Sequence, residues 1–177
     1  MKPYNCLQAA AFLLLFAGCA ATHEDTLPQE PFVHAQNPVE AGRYLITVAG
    51  CNDCHTDGYM MNGGTNPESE WLTGSAMGWQ GPWGTTYASN LRLRVQDLTE
   101  DQWVEMLKTR KTMPPMAWPS VNHMSETDLK AIYAYITYLG PKGERAPLAV
   151  APGASPATPY LSLFPQNMPQ TVPAASE

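Results

Sequence analysis

Apolar positions first recur at helical spacing between residues 44 and 49. Just before them, Asn37 is a typical N-cap, Pro38 suits a first helical turn, and Glu40 lies near the positive end of a helix dipole. The repeated apolar positions, three or four residues apart, are Tyr44, Leu45, Val48 and Ala49. This pattern predicts a helix that begins at Asn37 and ends at Gly50.

Two more helices are predicted in the second half of the chain. Thr99 and Gln102 have the spacing of a capping box, and basic residues gather about ten residues later, where they favour a helix C-terminus. The apolar residues between them are Trp103, Met106 and Leu107. Ser125 opens the strongest helix, which ends at Gly140 and Pro141. Its apolar face consists of Leu129, Ile132, Tyr133, Ile136 and Leu139.

Three segments have no sustained period. Residues 19–37 are polar and are predicted to form a flexible tether, and residues 56–90, rich in glycine and tryptophan, are predicted to form an extended loop. Residues 141–177 hold eight of the 17 prolines and are predicted to be a Pro-rich tail without a helical core. An apolar island in this tail is expected to dock on its own domain: Tyr160, Leu161, Leu163 and Phe164.

The first 18 residues have the pattern of a signal peptide. A basic residue at position 2 precedes an apolar run from 9 to 17 that is too short to span a bilayer comfortably. The run ends in LFAGC at residues 15–19, which resembles the lipobox of bacterial lipoproteins. The resemblance implies cleavage before Cys19, lipid attachment there, and an exported, periplasmic protein anchored to a membrane. Phe16 departs from the usual residue at its place, which leaves simple cleavage or an uncut anchor as alternatives.

Cys51 and Cys54 are the two cysteines that stay in the predicted domain, since Cys6 and Cys19 belong to the signal region. With His55 they form C-x-x-C-H, the attachment signature of haem c, in which two thiols bind the porphyrin and the histidine ligates iron. A thioredoxin-like pair would need a βαβ context, which the neighbouring segments do not supply. A zinc site would need a fourth ligand, for which only the distant His34 or His123 is available.

A second axial ligand is expected from the loop between the two C-terminal helices. Methionine or histidine is the usual choice opposite the proximal histidine. Residues 112–119, TMPPMAWP, lie between these helices and contain two methionines, Met113 and Met116. A rigid proline-rich loop can present a thioether to iron with little further loss of entropy.

Several segments together resemble a known family. They are residues 42–45, 51–55, 81–84, 87–91, 116–118, 124–125 and 128–136. These segments are similar to class I c-type cytochromes of the kind found as modules of membrane-bound alcohol and aldehyde dehydrogenase complexes, over residues 38–140. The resemblance implies an all-α cytochrome c fold with three to five helices around one covalently bound haem and long loops.

The resemblance also implies roles for individual residues. Alignment on Trp118 points to Met116 as the sixth ligand, whereas Ala117 in place of the family's proline keeps Met113 a rival. Trp83, Tyr87 and Asn90 are expected in the haem pocket. Arg92 or Arg94 is a candidate partner for a haem propionate, with a solvated arginine as the alternative. Other residues are expected in the core, at the rim or on the surface instead of on iron: Met60, Met61, Met77, Met124 and His123.

These expectations describe a protein that carries electrons and is not itself an enzyme. Histidine and methionine together fill both axial positions and leave no place for oxygen or peroxide. The predicted partners are a dehydrogenase, another cytochrome or a terminal oxidase, and the net charge of −6 argues against nucleic acid. Two alternatives stay open: a haem subunit of a periplasmic alcohol or aldehyde dehydrogenase complex, and a haem-based sensor.

Overall fold

The computed structural model describes residues 31–167. Within that range its helices are α1 (Pro38–Val48), α2 (Cys51–His55), α3 (Leu91–Arg94), α4 (Glu100–Thr109), α5 (Trp118–Asn122) and α6 (Glu126–Leu139). Its strands are β1 (Gly78–Gly81), β2 (Gly84–Tyr87) and β3 (Tyr160–Ser162). Single turns of 3-10 helix occupy Glu68–Glu70 and Val95–Asp97. The predicted signal peptide, Cys19, and the outer parts of the tether and tail lie outside the described residues.

The prediction of an all-α fold with three to five helices is wrong. Residues 31–167 contain six α-helices and a three-stranded mixed sheet of order β2-β1-β3. β1 pairs antiparallel with β2 and parallel with β3. The sheet also divides the predicted loop at 56–90. Its strands escape the pattern because each has three or four residues and β1 has glycine at both ends, so no alternation of apolar and polar residues marks it.

The three predicted helices are confirmed, together with their caps. Asn37 accepts a hydrogen bond from the Glu40 backbone N–H at 3.0 Å and begins α1. Both hydrogen bonds of the capping box at Thr99 are present at the start of α4. Ser125 caps α6, which ends at Gly140 with φ of 71°. Local sequence signals therefore set these boundaries.

Helices α1 and α6 pack closely across the main core. A Cβ atom at Gly42 would lie 2.0 Å from the Ala131 carbonyl oxygen and 2.7 Å from Tyr135 Cβ, so only glycine allows this approach. Leu45 and Ile46 of α1 are buried there, whereas Tyr44 and Val48 are more than half exposed. The buried face of α1 thus differs from the apolar stripe that the spacing suggested. No helix within residues 31–167 has both the length and the apolar character needed to cross a membrane.

The segment after α6 returns across the domain to the sheet. Thr85 and Val150 exchange backbone hydrogen bonds of 2.9 Å in both directions. Gly84 has φ of 97°, and a Cβ there would lie 2.2 Å from the Val150 carbonyl oxygen. Beyond this point the apolar island, which includes Tyr160 and Leu161, joins the domain through β3. The expectation that the island docks on its own domain is confirmed, although its side chains stay about half exposed.

Candidate cofactor site

The C-x-x-C-H motif forms the short helix α2. Gly50 adopts the left-handed conformation, with φ of 66°, and so turns the chain from α1 directly into α2. Cys51 and Cys54 are three residues apart on this helix, and His55 ends it. All three residues line one cavity. The local fold therefore places two thiols and an imidazole against the same space.

His55 is held in one orientation by its own hydrogen bond. Its Nδ1 lies 2.7 Å from the Ser89 carbonyl oxygen, so Nδ1–H donates to that oxygen and Nε2 keeps its lone pair. Only 8% of the side chain is exposed. Burial lowers the pKa of His55, which the bond to Ser89 raises by a smaller amount, and the imidazole stays neutral. A neutral, oriented imidazole is the form that binds a metal.

The two thiols are free, and their environment favours the protonated form. Cys51 and Cys54 form no disulfide. Burial raises the pKa of Cys51 to about 11 and also raises that of Cys54, with the nearby Asp53 carboxylate adding to both shifts. Redox-active cysteine pairs have lowered pKa values, because the thiolate is the reactive form. The environment thus argues against a thioredoxin-like pair.

The cavity beside these residues has a volume of about 870 Å³. That is the size of a site for a large organic ligand. Its wall combines residues from the six helices with residues of β1 and β2, the loop at 112–117 and the segment after α6. The apolar part of the wall includes Ile46, Trp79, Trp103, Leu107, Leu129 and Ile132. Its charged residues are three arginines, Arg94, Arg110 and Arg145, and no acidic residue of 31–167 belongs to it.

Four methionines line the cavity: Met106, Met113, Met116 and Met124. Met113 is 51% exposed, whereas Met116 is half-buried and also borders a second, smaller cavity. Both candidate ligands therefore face the same space, and the choice of Met116 over Met113 stays a prediction. Met124 lines the cavity and packs against the hydrophobic core, as expected. The other methionines expected in the core or rim, Met60, Met61 and Met77, are exposed and lie outside the wall.

Three residues of the predicted loop are expected in the haem pocket, and two of them line the cavity. Tyr87 lines the cavity, and its hydroxyl pairs with Thr158 Oγ1 at 2.8 Å. Asn90 also lines it and caps α3 by accepting from the Leu93 backbone N–H at 3.0 Å. Trp83 does not line it: its ring covers Gly81, where a Cβ would lie 2.5 Å away.

The two candidate propionate partners also have different positions. Arg92 is 5% exposed and donates to the carbonyl oxygens of Leu139, Gly140 and Ser69, so it caps the C-terminus of α6 instead of lining the cavity. Arg94 lines the cavity. The expectation for Arg92 is therefore wrong, because its guanidinium is already used by backbone carbonyl groups.

Neither histidine considered as a further metal ligand joins the motif. His34 is exposed, and its ring contacts that of Phe32 at a tilt of 45°, with ring centroids 4.2 Å apart. His123 is exposed, and its Nδ1 lies 2.6 Å from the Pro119 carbonyl oxygen. Within residues 31–167 no cluster of three or more His, Cys, Asp or Glu side chains has the geometry of a metal site.

The residues present fit a haem c. Two free thiols lie three residues apart, an oriented neutral imidazole follows them, and candidate thioether ligands line the same apolar cavity. Cys51 and Cys54 would hold the porphyrin, and His55 would ligate its iron.

The chain is similar to one curated cytochrome subunit. It is 26% identical over 151 residues to the fructose dehydrogenase cytochrome subunit of Gluconobacter japonicus. The match covers 77% of this chain and 28% of that subunit, so the chain spans less than a third of the length of its relative. No protein-family model matches the chain, and no solved structure matches it significantly.

Sequence reasoning missed one part of the cavity wall. Residues 145–149 follow α6 and line the cavity, although they belong to the predicted Pro-rich tail. Arg145 is the most polar member of this segment. The only local signal is a charged residue in a stretch with few charges, because the contacts that place it connect positions far apart in the sequence.

Proposed function

We propose that this chain is a c-type cytochrome that transfers single electrons through one haem, attached to Cys51 and Cys54 and ligated by His55. The observation that carries the proposal is the hydrogen bond from His55 Nδ1 to the Ser89 carbonyl, beside two free thiols in one large cavity. The similarity to a cytochrome subunit supports an electron-transfer role. When bound, the haem supplies a one-electron iron couple.

The chain's own residues orient and shield such a group. Ser89 fixes the tautomer of His55 and makes Nε2 a better electron donor. Apolar side chains from α1 and α6, including Ile46 and Ile132, exclude water from the cavity. An apolar, water-poor surrounding disfavours the more charged, oxidised state and so raises a reduction potential.

We further propose Met116 as the sixth ligand. Its support is its place on the cavity wall, its half-buried side chain, and the similarity of its surroundings to the family pattern. Met116→Ala and Met113→Ala are a matched pair, because both remove one thioether from the same loop. Met116→Ala is expected to abolish the weak sulfur-to-iron absorption band and to open the reduced protein to carbon monoxide, whereas Met113→Ala changes neither. The reverse result would move the ligand to Met113, and rapid carbon monoxide binding by the wild type would favour a sensor.

A second candidate is a haem subunit of a dehydrogenase complex, as the name of the relative suggests. The partners proposed for this chain are therefore a dehydrogenase as electron donor and another cytochrome or a terminal oxidase as acceptor. Affinity purification of the full chain from its native membranes tests this. Recovery of a dehydrogenase in stoichiometric amount supports a subunit, and recovery of the cytochrome alone supports a free carrier.

Export and membrane attachment are part of the proposal. Their support is the sequence pattern of residues 1–19. Two acyl chains on one residue would be enough for stable attachment. Cys19→Ala is expected to abolish the incorporation of labelled palmitate into the protein. Wild-type protein that takes up no label, or a variant that is labelled as strongly as wild type, would contradict attachment through Cys19.

A further inference from the structure

The cavity wall differs in charge from the chain as a whole. The sequence has 16 acidic and 10 basic residues, yet within residues 31–167 the wall holds three arginines and no carboxylate. One of these, Arg110, lies 5.6 Å over the ring of Trp118. The charged side chains of this otherwise apolar wall are thus all arginines. Such a cavity is suited to a ligand that is apolar in its body and carries carboxylates at its edge.

Asp97 contacts both Arg94 and Arg145 and holds the two side chains close together. The Asp97 carboxylate receives two hydrogen bonds of 2.9 Å from the terminal nitrogens of Arg145 and lies 3.9 Å from Arg94 Nη1. Asp97 itself is not part of the cavity wall, whereas both arginines are. One carboxylate outside the cavity therefore faces two guanidinium groups, which leaves a net positive charge at the rim. Arg145 also keeps N–H groups that Asp97 does not use.

The backbone around Arg145 is fixed on both sides. Asn90 Nδ2 donates to the carbonyl oxygens of Lys142 and Glu144 at 2.7 and 3.1 Å. Val150 pairs with Thr85 of β2. These contacts hold residues 142–150 against the cavity, so Arg145 reaches its wall from a segment that follows the last helix.

We propose that Arg94 and Arg145 form the carboxylate-binding site of the cavity and bind the two propionate groups of the haem, with Asp97 as the positioning residue between them. This inference rests on the proposed function. Asp97 takes one hydrogen bond from each terminal nitrogen of Arg145 and so limits the rotamers of this side chain before the ligand arrives. Arg145 then donates to a carboxylate through the N–H groups that Asp97 does not use.

The test measures the midpoint potential and the resonance Raman band of propionate bending in the full holoprotein. Arg145→Gln and Arg94→Gln remove a positive charge and are expected to lower the potential and to shift the propionate band, because the propionate charge then favours oxidised iron. Asp97→Asn removes a negative charge and is expected to raise the potential. Arg145→Lys keeps the charge and is expected to restore most of the potential. Arg43→Gln is the control, since it breaks an arginine–carboxylate pair with Glu68 away from the cavity.

A different result is expected if the ion pair between Arg145 and Asp97 only fastens the C-terminal segment and binds no propionate. Arg145→Gln and Asp97→Asn break the same ion pair, so they would then change the potential in the same direction and leave the propionate band at its wild-type position. That outcome overturns the inference while the covalent haem is still present. A wild-type protein without covalent haem would instead overturn the proposed function, and this inference with it.

Discussion

Asn90 joins the cavity wall to the C-terminal segment, and its side chain has two separable roles. The amide oxygen caps α3, and the amide nitrogen donates to the carbonyl oxygens of Lys142 and Glu144. Loss of an N-cap costs about 1 kcal/mol, and leaving partly buried carbonyl groups without donors costs about 1–3 kcal/mol. Only 4% of Asn90 is exposed, so its side chain makes these bonds largely out of contact with water. Asn90→Ala is therefore expected to lower the free energy of unfolding by about 2–4 kcal/mol.

Asn90→Asp separates the two roles, because aspartate is an equally good N-cap but has no N–H to donate. This variant is expected to keep α3. It is also expected to make the peptide bonds of residues 142–150 accessible to protease in the folded holoprotein. Equilibrium urea unfolding and limited proteolysis measure the two effects. Asn62→Ala is the control, since it removes only an exposed hydrogen bond to Asn66 and is expected to change stability by less than about 0.5 kcal/mol. If Asn90→Asp matched wild type in stability and in protease resistance, the hydrogen bonds from the Asn90 amide nitrogen would not hold this segment.

Two further predictions concern the helical core. Gly42→Ala is expected to lower the free energy of unfolding by about 2 kcal/mol, because its Cβ would meet the backbone of α6 at 2.0 Å. Equilibrium unfolding in denaturant measures this. Thr47→Ala, on the exposed face of α1, is the control and is expected to be nearly neutral. Burial raises the pKa of Glu68, but hydrogen bonds from Arg43 and Tyr135 outweigh it and hold this pKa below its ordinary value. Glu68→Gln is therefore expected to lower stability at neutral pH and to converge with wild type as pH falls through the lowered pKa, below about 4.3; a constant difference down to acid pH would contradict this.

The sequence predicts those elements whose signals are local. Asn37, Thr99 and Ser125 each precede an apolar repeat and each caps a helix in the structure. The C-x-x-C-H spacing likewise brings its thiols and imidazole to one cavity wall. The face of α1 was less predictable, because Tyr44 and Val48 repeat at helical spacing but lie on the side away from α6. A single helix does not show which of two apolar faces its partner covers.

The sheet and the rim of the cavity depend on contacts between distant parts of the chain. β1 pairs with β3 from the predicted tail, and Arg145 from that tail reaches Asp97. No period or motif in either segment indicates its partner. For Trp83 the sequence pattern gave a position that the fold does not. The family resemblance places this residue in the pocket, whereas its ring packs on Gly81. Arg92 is similar, since only the folded chain shows that it caps α6.

The proposed electron transfer depends on one haem bound through Cys51 and Cys54. The most direct measurement is the intact mass, under denaturing conditions, of the protein exported together with the machinery for cytochrome c maturation. We expect a polypeptide that is heavier by one haem, and a Cys51→Ala/Cys54→Ala variant without that addition. A wild-type protein with the mass of the bare polypeptide, or with haem that separates on denaturation, would contradict it.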